Sequence, residues 1–177
     1  MTSPVFKFPQ LAELDITIIV VSFNTREILL RCLGSIKKHT QGISYEVIVV
    51  DNASEDGTVN AVVELFPEVE VISNRDNRGF SAANNQGIIA SKGRKIALLN
   101  PDTLLKENSF KKIKDFLEKH PDFSILGAGI VDKNNHLCPI RLWEDRPQDA
   151  ALKILGKYNA GNELKRMGPK LAREVKV

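Results

Sequence analysis

Residues 16–21 read Ile-Thr-Ile-Ile-Val-Val and run directly into the polar turn Ser-Phe-Asn at residues 22–24. Two later segments repeat this plan. Residues 46–50 precede Asp-Asn-Ala-Ser at 51–54, and residues 95–99 precede Asn-Pro-Asp at 100–102. Short apolar runs of this kind are typical of strands that are buried on both faces of a parallel sheet. Because parallel strands end at one edge, the three turns are predicted to lie together where open α/β sheets bind ligands.

Apolar residues at helical spacing fill the intervals between these strands. They predict helices over about residues 25–39, 59–66 and 81–91, and a fourth helix that begins at Ser109 and ends before Pro121. Residues 69–72 and 124–131 are predicted to add two further strands. This alternation predicts an α/β fold with a mainly parallel open sheet flanked by helices on both faces.

The chain of 177 residues is long enough for one domain with a real core. We predict a leader over residues 1–15, an α/β domain over 16–139 and a weakly patterned segment over 140–177. From residue 141 onward, nine Lys and Arg face five Asp and Glu. This basic tail is expected to be solvated, with peripheral contact to an anionic membrane surface as the alternative.

Several protein classes are disfavoured by what the sequence lacks. The longest aliphatic run falls far short of the about 20 apolar residues that span a bilayer, and no basic-then-apolar segment opens the chain. Cys32 and Cys138 are isolated, which suggests neither a disulfide framework nor a zinc site, so a cytoplasmic location is expected. No phosphate loop, dinucleotide fingerprint or nucleic-acid stripe is present.

The polar turns contain the candidate site residues. Asp102 follows the stiff residue Pro101 at a strand end, where a carboxylate can hold a divalent cation; the alternative is a simple turn. Asp51 can accept from a base N–H, and the alternative is an Asx turn with Ser54 or Asp56 capping the next helix. We expect both roles to be filled, with Ser54 or Asp56 as the cap and Asp51 left free. Asn24 is expected to cap the first helix, with Glu27 at the capping-box position. Gly79 precedes a helix and allows the backbone to approach a ligand closely.

Four stretches together carry a family resemblance. They are Ile-Val-Val-Ser-Phe-Asn at 19–24, Val-Val-Asp-Asn-Ala-Ser-Glu-Asp-Gly-Thr at 49–58, Asn-Arg-Gly-Phe-Ser-Ala-Ala-Asn-Asn-Gln-Gly at 77–87, and Leu-Leu-Asn-Pro-Asp-Thr at 98–103. In this order and at these spacings, the chain resembles the nucleotide-sugar-binding half of family 2 glycosyltransferases of the GT-A fold. The rhamnosyltransferase-like branch is the most similar.

The resemblance implies a role for each matching residue. Ser22, Phe23, Asn24 and Asp51 would hold the base and sugar of a UDP- or dTDP-linked donor, and Gly79 would line the nucleotide pocket.

The metal motif and the reaction are also implied by the resemblance. Asp102 would hold Mg²⁺ or Mn²⁺. Asn100 stands where many members have the first Asp of the motif, and it would bind the nucleotide through an amide that accepts from a hydroxyl but brings no charge. The implied reaction is inverting transfer to a hydroxyl of a glycan or glycolipid acceptor in cell-surface polysaccharide or glycolipid synthesis. A metal would neutralise charge on the diphosphate, and a carboxylate base would deprotonate the acceptor.

The catalytic base is not identified by the sequence. Glu144 and Asp145 form the only downstream acidic pair, so the chain is expected to be truncated before the acceptor half. The alternatives are a non-catalytic nucleotide-sugar-binding module and a scaffold that forms homodimers through an uncovered sheet edge. A sugar nucleotidyltransferase is less favoured, because no glycine-rich start with a basic residue is present.

Overall fold

The computed structural model describes residues 14–132 and contains a parallel sheet in this range. The elements in chain order are β1 (Leu14–Ser22), α1 (Arg26–His39), β2 (Tyr45–Asp51), α2 (Thr58–Leu65), β3 (Glu70–Ser73), α3 (Phe80–Ala90), β4 (Gly93–Leu99) and α4 (Ser109–Lys119). The strand order is β3-β2-β1-β4. The predicted fold class, a parallel open sheet flanked by helices, is confirmed.

The register of the strands fixes which turns are neighbours. β1 pairs with β2 from Ile16 opposite Tyr45 to Ser22 opposite Asp51. On its other side β1 pairs with β4, and the last pair is Val20 opposite Leu99. β1 therefore lies between the two strands whose turns carry the carboxylates predicted to bind ligand.

β1 is buried on both sides, which explains its continuous aliphatic sequence. Ile18 and Val20 belong to one apolar cluster with Leu29 and Leu33 of α1, and Val62 of α2 joins the same cluster. The alternate residues of β1 and β2 form a second cluster with Ala83 of α3. Its strand members are Ile19, Val21, Ile48 and Val50. The helices thus cover both faces of the sheet, as the unbroken apolar runs predict.

Two glycines permit close packing against β1. A Cβ on Gly87 of α3 would lie 2.6 Å from Cγ2 of Ile19, so α3 approaches the sheet at a distance that only glycine allows. A Cβ on Gly93, at the start of β4, would lie 2.3 Å from the backbone N of Thr17. Gly93 N instead donates a hydrogen bond of 2.8 Å to Thr17 Oγ1.

The predicted fifth strand at 124–131 is wrong. Residues 124–130 have no strand conformation, and Val131 forms only an isolated bridge. Ile125 is 85% exposed and Ile130 is 59% exposed, so this apolar run is not buried as a strand in the core. Gly127 and Gly129 weaken a strand, because glycine loses more backbone freedom and offers no side chain to pack.

The predicted leader and the predicted basic segment lie largely outside the residues that the structure describes. β1 begins at Leu14, two residues before the predicted domain start, so only residues 1–13 of the predicted leader lie outside. The basic segment 140–177, with Cys138 and the acidic pair at 144–145, also lies outside them.

The described part of the chain divides at Phe116 into two compact units. The first unit contains the sheet. In the second, the rings of His120 and Phe123 meet edge to face with centroids 6.0 Å apart. No helix between residues 14 and 132 is both long enough and apolar enough to cross a bilayer.

Gly87→Ala is expected to lower the free energy of unfolding by about 1–3 kcal/mol, because the added methyl group overpacks the contact with Ile19. Gly34→Ala is the matched control in α1, where a Cβ would meet nothing within 4 Å. That substitution is expected to raise stability by up to about 1 kcal/mol. Urea unfolding of both variants measures the difference, and equal stabilities would contradict the packing argument.

Candidate functional site

Three polar turns meet at the carboxyl edge of the sheet. Ser22 ends β1 directly opposite Asp51 at the end of β2. β4 ends at Leu99, opposite Val20, so the turn that begins with Asn100 leaves the same edge. The predicted convergence of the three turns is therefore confirmed.

The carboxylate of Asp51 is hydrogen-bonded within its own turn. The side chain is only 1% exposed. Its Oδ2 accepts a hydrogen bond of 2.8 Å from the backbone N of Ser54, and its Oδ1 accepts one of 2.6 Å from Ser54 Oγ. The expectation that Asp51 is left free is wrong, because both carboxylate oxygens accept from Ser54, three residues on. The bonds are local, but they do not form the predicted Asx turn, which reaches the backbone two residues on.

Asn24 does not cap the first helix. The N-cap of α1 is Thr25, whose own side chain makes no capping hydrogen bond, so the predicted capping box of Asn24 with Glu27 is also wrong. Asn24 has a φ of 52°, a left-handed conformation that asparagine tolerates better than most residues. Its N donates to Ser54 Oγ at 2.8 Å, and its Oδ1 accepts from Glu55 N at 2.9 Å. Asn24 therefore connects the turn after β1 to the turn after β2.

Asp56 makes a second connection between these two turns. Its Oδ2 accepts from the backbone N of Arg26, the first residue of α1, at 3.0 Å. Its Oδ1 accepts from both the backbone N and the hydroxyl of Thr58, the first residue of α2. These bonds, the Thr58 hydroxyl foremost, hold the pKa of Asp56 below its ordinary value. One carboxylate thus accepts from the backbone N–H at the starts of two helices. The N-cap of α2 is nevertheless Gly57, so the predicted N-cap at Ser54 or Asp56 is wrong.

The other residues of the first turn differ in exposure. Ser22 is 1% exposed, and its Oγ lies 2.9 Å from Thr25 Oγ1. Phe23 is 46% exposed and presents an aromatic ring at the edge of the sheet.

A network of side-chain amides supports the loop between β3 and α3 and was not predicted. Asn74 and Gln86 form a reciprocal pair of hydrogen bonds of 2.9 and 2.8 Å. Asn74 also donates to Oδ1 of Asn52 at 2.9 Å, and Asn52 is 2% exposed. Nδ2 of Asn52 donates to the carbonyl of Gly79 at 3.4 Å. The abundance of Asn and Gln in these stretches was the available signal, but their pairing depends on contacts 12 to 27 residues apart.

Gly79 is the N-cap of α3 and has a φ of 79°. A Cβ at this position would meet nothing within 4 Å, so backbone conformation, rather than crowding, accounts for the glycine. Its N donates to Oδ1 of Asn77 at 2.9 Å.

Asn100 and Asp102 are both exposed in the turn after β4. The carbonyl of Asn100 accepts from the backbone N of Thr103 at 3.1 Å, which closes the turn. Within residues 14–132, no group of three or more His, Cys, Asp or Glu is arranged to hold a metal ion. An exposed carboxylate beside an exposed amide nevertheless fits Mg²⁺ or Mn²⁺, which often take only one or two protein carboxylates and complete their shell with phosphate and water.

Residues 17–165 match the family described as Glycosyl transferase family 2, and the chain belongs to that family. A curated relative, the succinoglycan biosynthesis protein ExoO of Rhizobium meliloti, is 33% identical over 100 residues. That alignment covers 56% of this chain and 28% of ExoO. The chain thus spans less than a third of the length of this relative.

Solved glycosyltransferase structures show the same fold. The mannosyltransferase PcManGT of Pyrobaculum calidifontis, solved with GDP-Man and Mn²⁺, has a TM-score of 0.57 at 22% identity, covering 67% of this chain and 36% of that one. TarS of S. aureus, residues 1–349 with UDP, has a TM-score of 0.55 at 21% identity, covering 60% and 33%. At these identities the likeness establishes the fold.

Asp56→Ala is expected to lower the free energy of unfolding by about 1–2 kcal/mol, because it removes the acceptor at two helix starts. Asp56→Asn keeps one acceptor oxygen and should lose less. Since the pKa of Asp56 is lowered from an ordinary value of 3.8, its ionised form stabilises the fold fully above that value. The contribution is lost as the pH falls through the lowered pKa.

Urea unfolding near pH 7 and near pH 3 tests both statements. The stability difference between the natural chain and Asp56→Asn should narrow at the lower pH. A difference that is unchanged or wider at low pH would contradict this role of the carboxylate.

Proposed function

We propose that this chain is the donor-binding part of a glycosyltransferase that moves a sugar from a UDP- or dTDP-linked donor to a hydroxyl acceptor. The observation that carries the proposal is the meeting of the Asn24, Asp51 and Asp102 turns at one sheet edge in a chain of glycosyl transferase family 2. UDP and GDP-Man occur in the two solved structures of similar fold, which supports a nucleotide donor.

In this proposal the first two turns hold the base and its sugar. The exposed ring of Phe23 offers a face on which a base can stack. Ser22 and Asn24 shape the turn that presents the ring. Asp51 accepts from a base N–H when that donor replaces the Ser54 hydroxyl on Oδ1. Uracil and thymine carry an N–H at ring position 3, whereas cytosine has an acceptor there.

The remaining turns hold the diphosphate. Gly79 opens α3, and the N-terminus of a helix favours negative charge. Asp102 would hold Mg²⁺ or Mn²⁺, and the amide oxygen of Asn100 would accept from a hydroxyl of the nucleotide. The ion, when bound, supplies positive charge that stabilises the diphosphate leaving group.

For the acceptor, we propose the class of chemistry and not a binding residue. Inverting transfer requires a carboxylate base to take the proton of the acceptor hydroxyl, and no residue of this chain is assigned to that role. The chain spans 28% of ExoO, whose name places that relative in succinoglycan biosynthesis. We propose cell-surface polysaccharide or glycolipid synthesis at the cytoplasmic face of the membrane, with the rhamnosyltransferase-like branch as the nearest group. We also propose that the chain divides into a leader (residues 1–15), a donor-binding domain (16–139) and a basic segment (140–177).

One observation favours the alternative of a scaffold that forms homodimers through an uncovered sheet edge. Ile96 and Leu98 of β4, an end strand in the sheet order, are 38% and 53% exposed. Turnover of a UDP- or dTDP-sugar by this chain alone would exclude the non-catalytic alternative.

Asp102→Ala is expected to abolish the effect of the cation on nucleotide binding, because it removes the only carboxylate of the turn after β4. Thermal unfolding should show a rise in Tm with millimolar UDP and Mn²⁺ for the natural chain, and no added effect of Mn²⁺ for the variant. Glu64→Ala, at an exposed position near the end of α2, is the control and should behave like the natural chain. Failure of UDP, dTDP and GDP to shift the melting curve with either cation would overturn the proposal.

Asp51→Asn is expected to weaken the preference for UDP over CDP by about tenfold, equivalent to about 1.4 kcal/mol. The natural carboxylate accepts from the uracil N–H, whereas the amide can also turn its N–H toward the cytosine acceptor. Calorimetric titration of both nucleotides with Mn²⁺ measures the preference. An equal preference in the two proteins would show that Asp51 does not read the base.

A further inference from the structure

The segment that follows β4 runs beside α1 and contacts it at successive points. The carbonyl of Asn100 lies 3.9 Å from Sγ of Cys32. The backbone N of Leu105 donates to Oγ of Ser35 at 3.0 Å. The turn that carries Asp102 is therefore attached to α1 on both sides of the carboxylate.

Ser35 provides the stronger of the two attachments. Its Oγ donates to the carbonyl of Cys32, one turn back in α1, at 2.7 Å while it accepts from Leu105. The bond to the helix carbonyl fixes the hydroxyl proton, so the lone pairs of Oγ are available to the Leu105 amide. Leu105 itself is 8% exposed and belongs to the apolar cluster that includes Leu33. The far end of the turn is thus fixed by one hydrogen bond and by burial.

Cys32 provides the near attachment. It is fully buried, and its thiol faces the carbonyl of Asn100. Burial in the first place, together with the charge of Asp102, raises the pKa of this thiol to about 12. The thiol therefore stays protonated at neutral pH and can donate weakly to Asn100.

We propose that Ser35, assisted by Cys32, is a positioning residue that holds the Asn100–Leu105 turn so that Asp102 is presented for the cation and the diphosphate. The proposal rests on the proposed function of Asp102. Neither Ser35 nor Cys32 touches the ligand; each acts through the backbone of the turn. An exposed aspartate on a turn fixed at both ends loses less conformational freedom when it binds an ion than one on a loose turn.

Ser35→Ala is expected to weaken binding of Mn²⁺ in the presence of UDP by about tenfold, as observed when groups that orient a metal ligand are removed. Electron paramagnetic resonance of free Mn²⁺ measures this affinity on the full chain. Ser35→Thr keeps the hydroxyl and should restore the affinity. Ser91→Ala is the matched control, because Ser91 Oγ makes the corresponding bond of 2.7 Å to Ile88 O at the end of α3.

Hydrogen exchange separates positioning from general stability. In Ser35→Ala the backbone amides of residues 103–105 should exchange faster than in Ser91→Ala. The exchange rates of the slowest amides of β1 should be the same in both variants. Should Ser35→Ala fail to fold, Cys32→Ala replaces it, with a weaker effect in the same direction on both measurements.

The possible results distinguish the positioning role of Ser35 from the proposed function of Asp102, on which it rests. If the natural chain binds Mn²⁺ with UDP and Asp102→Ala does not, an unchanged affinity in Ser35→Ala overturns the positioning role. If the natural chain and Asp102→Ala bind Mn²⁺ equally well, the proposed function of Asp102 is overturned. The positioning role of Ser35 is then overturned too, even if hydrogen exchange of residues 103–105 is faster in Ser35→Ala. Faster exchange together with weaker binding that Ser35→Thr restores supports the proposal.

Discussion

The site depends on the in-register pairing of β1 with β2 and on the hydrogen bonds between the turns that follow them. Ser22 lies opposite Asp51, so the two turns start side by side. Asn24 and Asp56 then join them through bonds to the backbone of the opposite turn or helix. A slip of one residue in the register would reverse the faces of every side chain in β2 and separate these partners. The apolar sheet and the polar edge are therefore specified by the same pairing.

The polar side chains of the first two turns are mostly engaged in hydrogen bonds within the protein. Asp51 is closed onto Ser54, and Asn52 is buried in an amide network with Asn74. Buried polar groups are stable only when they are hydrogen-bonded, and a satisfied network makes the turns rigid. Rigid turns lower the entropic cost of binding a nucleotide. Phe23 and Asp102 differ because they are exposed to solvent at the edge of the sheet that these hydrogen bonds make rigid.

The sequence predicted the elements of the sheet well, because strands buried on both faces leave a strong aliphatic pattern. It failed at 124–131, where an apolar run with two glycines is not a strand. It also made Asn24 the cap of α1, whereas Asn24 bonds to the turn after β2. A local pattern offers only local partners for a side chain, whereas the partner of Asn24 lies 31 residues away, at Glu55. The contacts of Ser35 and Cys32 with the turn after β4 escaped sequence analysis for the same reason, since 70 and 68 residues separate the partners.

The sequence by itself determined the parallel α/β fold, the family resemblance and the edge of the sheet at which the polar turns gather. These follow from hydrophobic periodicity and from short motifs, both of which are local. Only the tertiary structure decided which polar groups are engaged and which are exposed. That division depends on strand order and on hydrogen bonds between turns that are distant in the chain. Asp51 and Asp102 follow strand ends of the same kind, yet one is closed by Ser54 and the other is open to solvent.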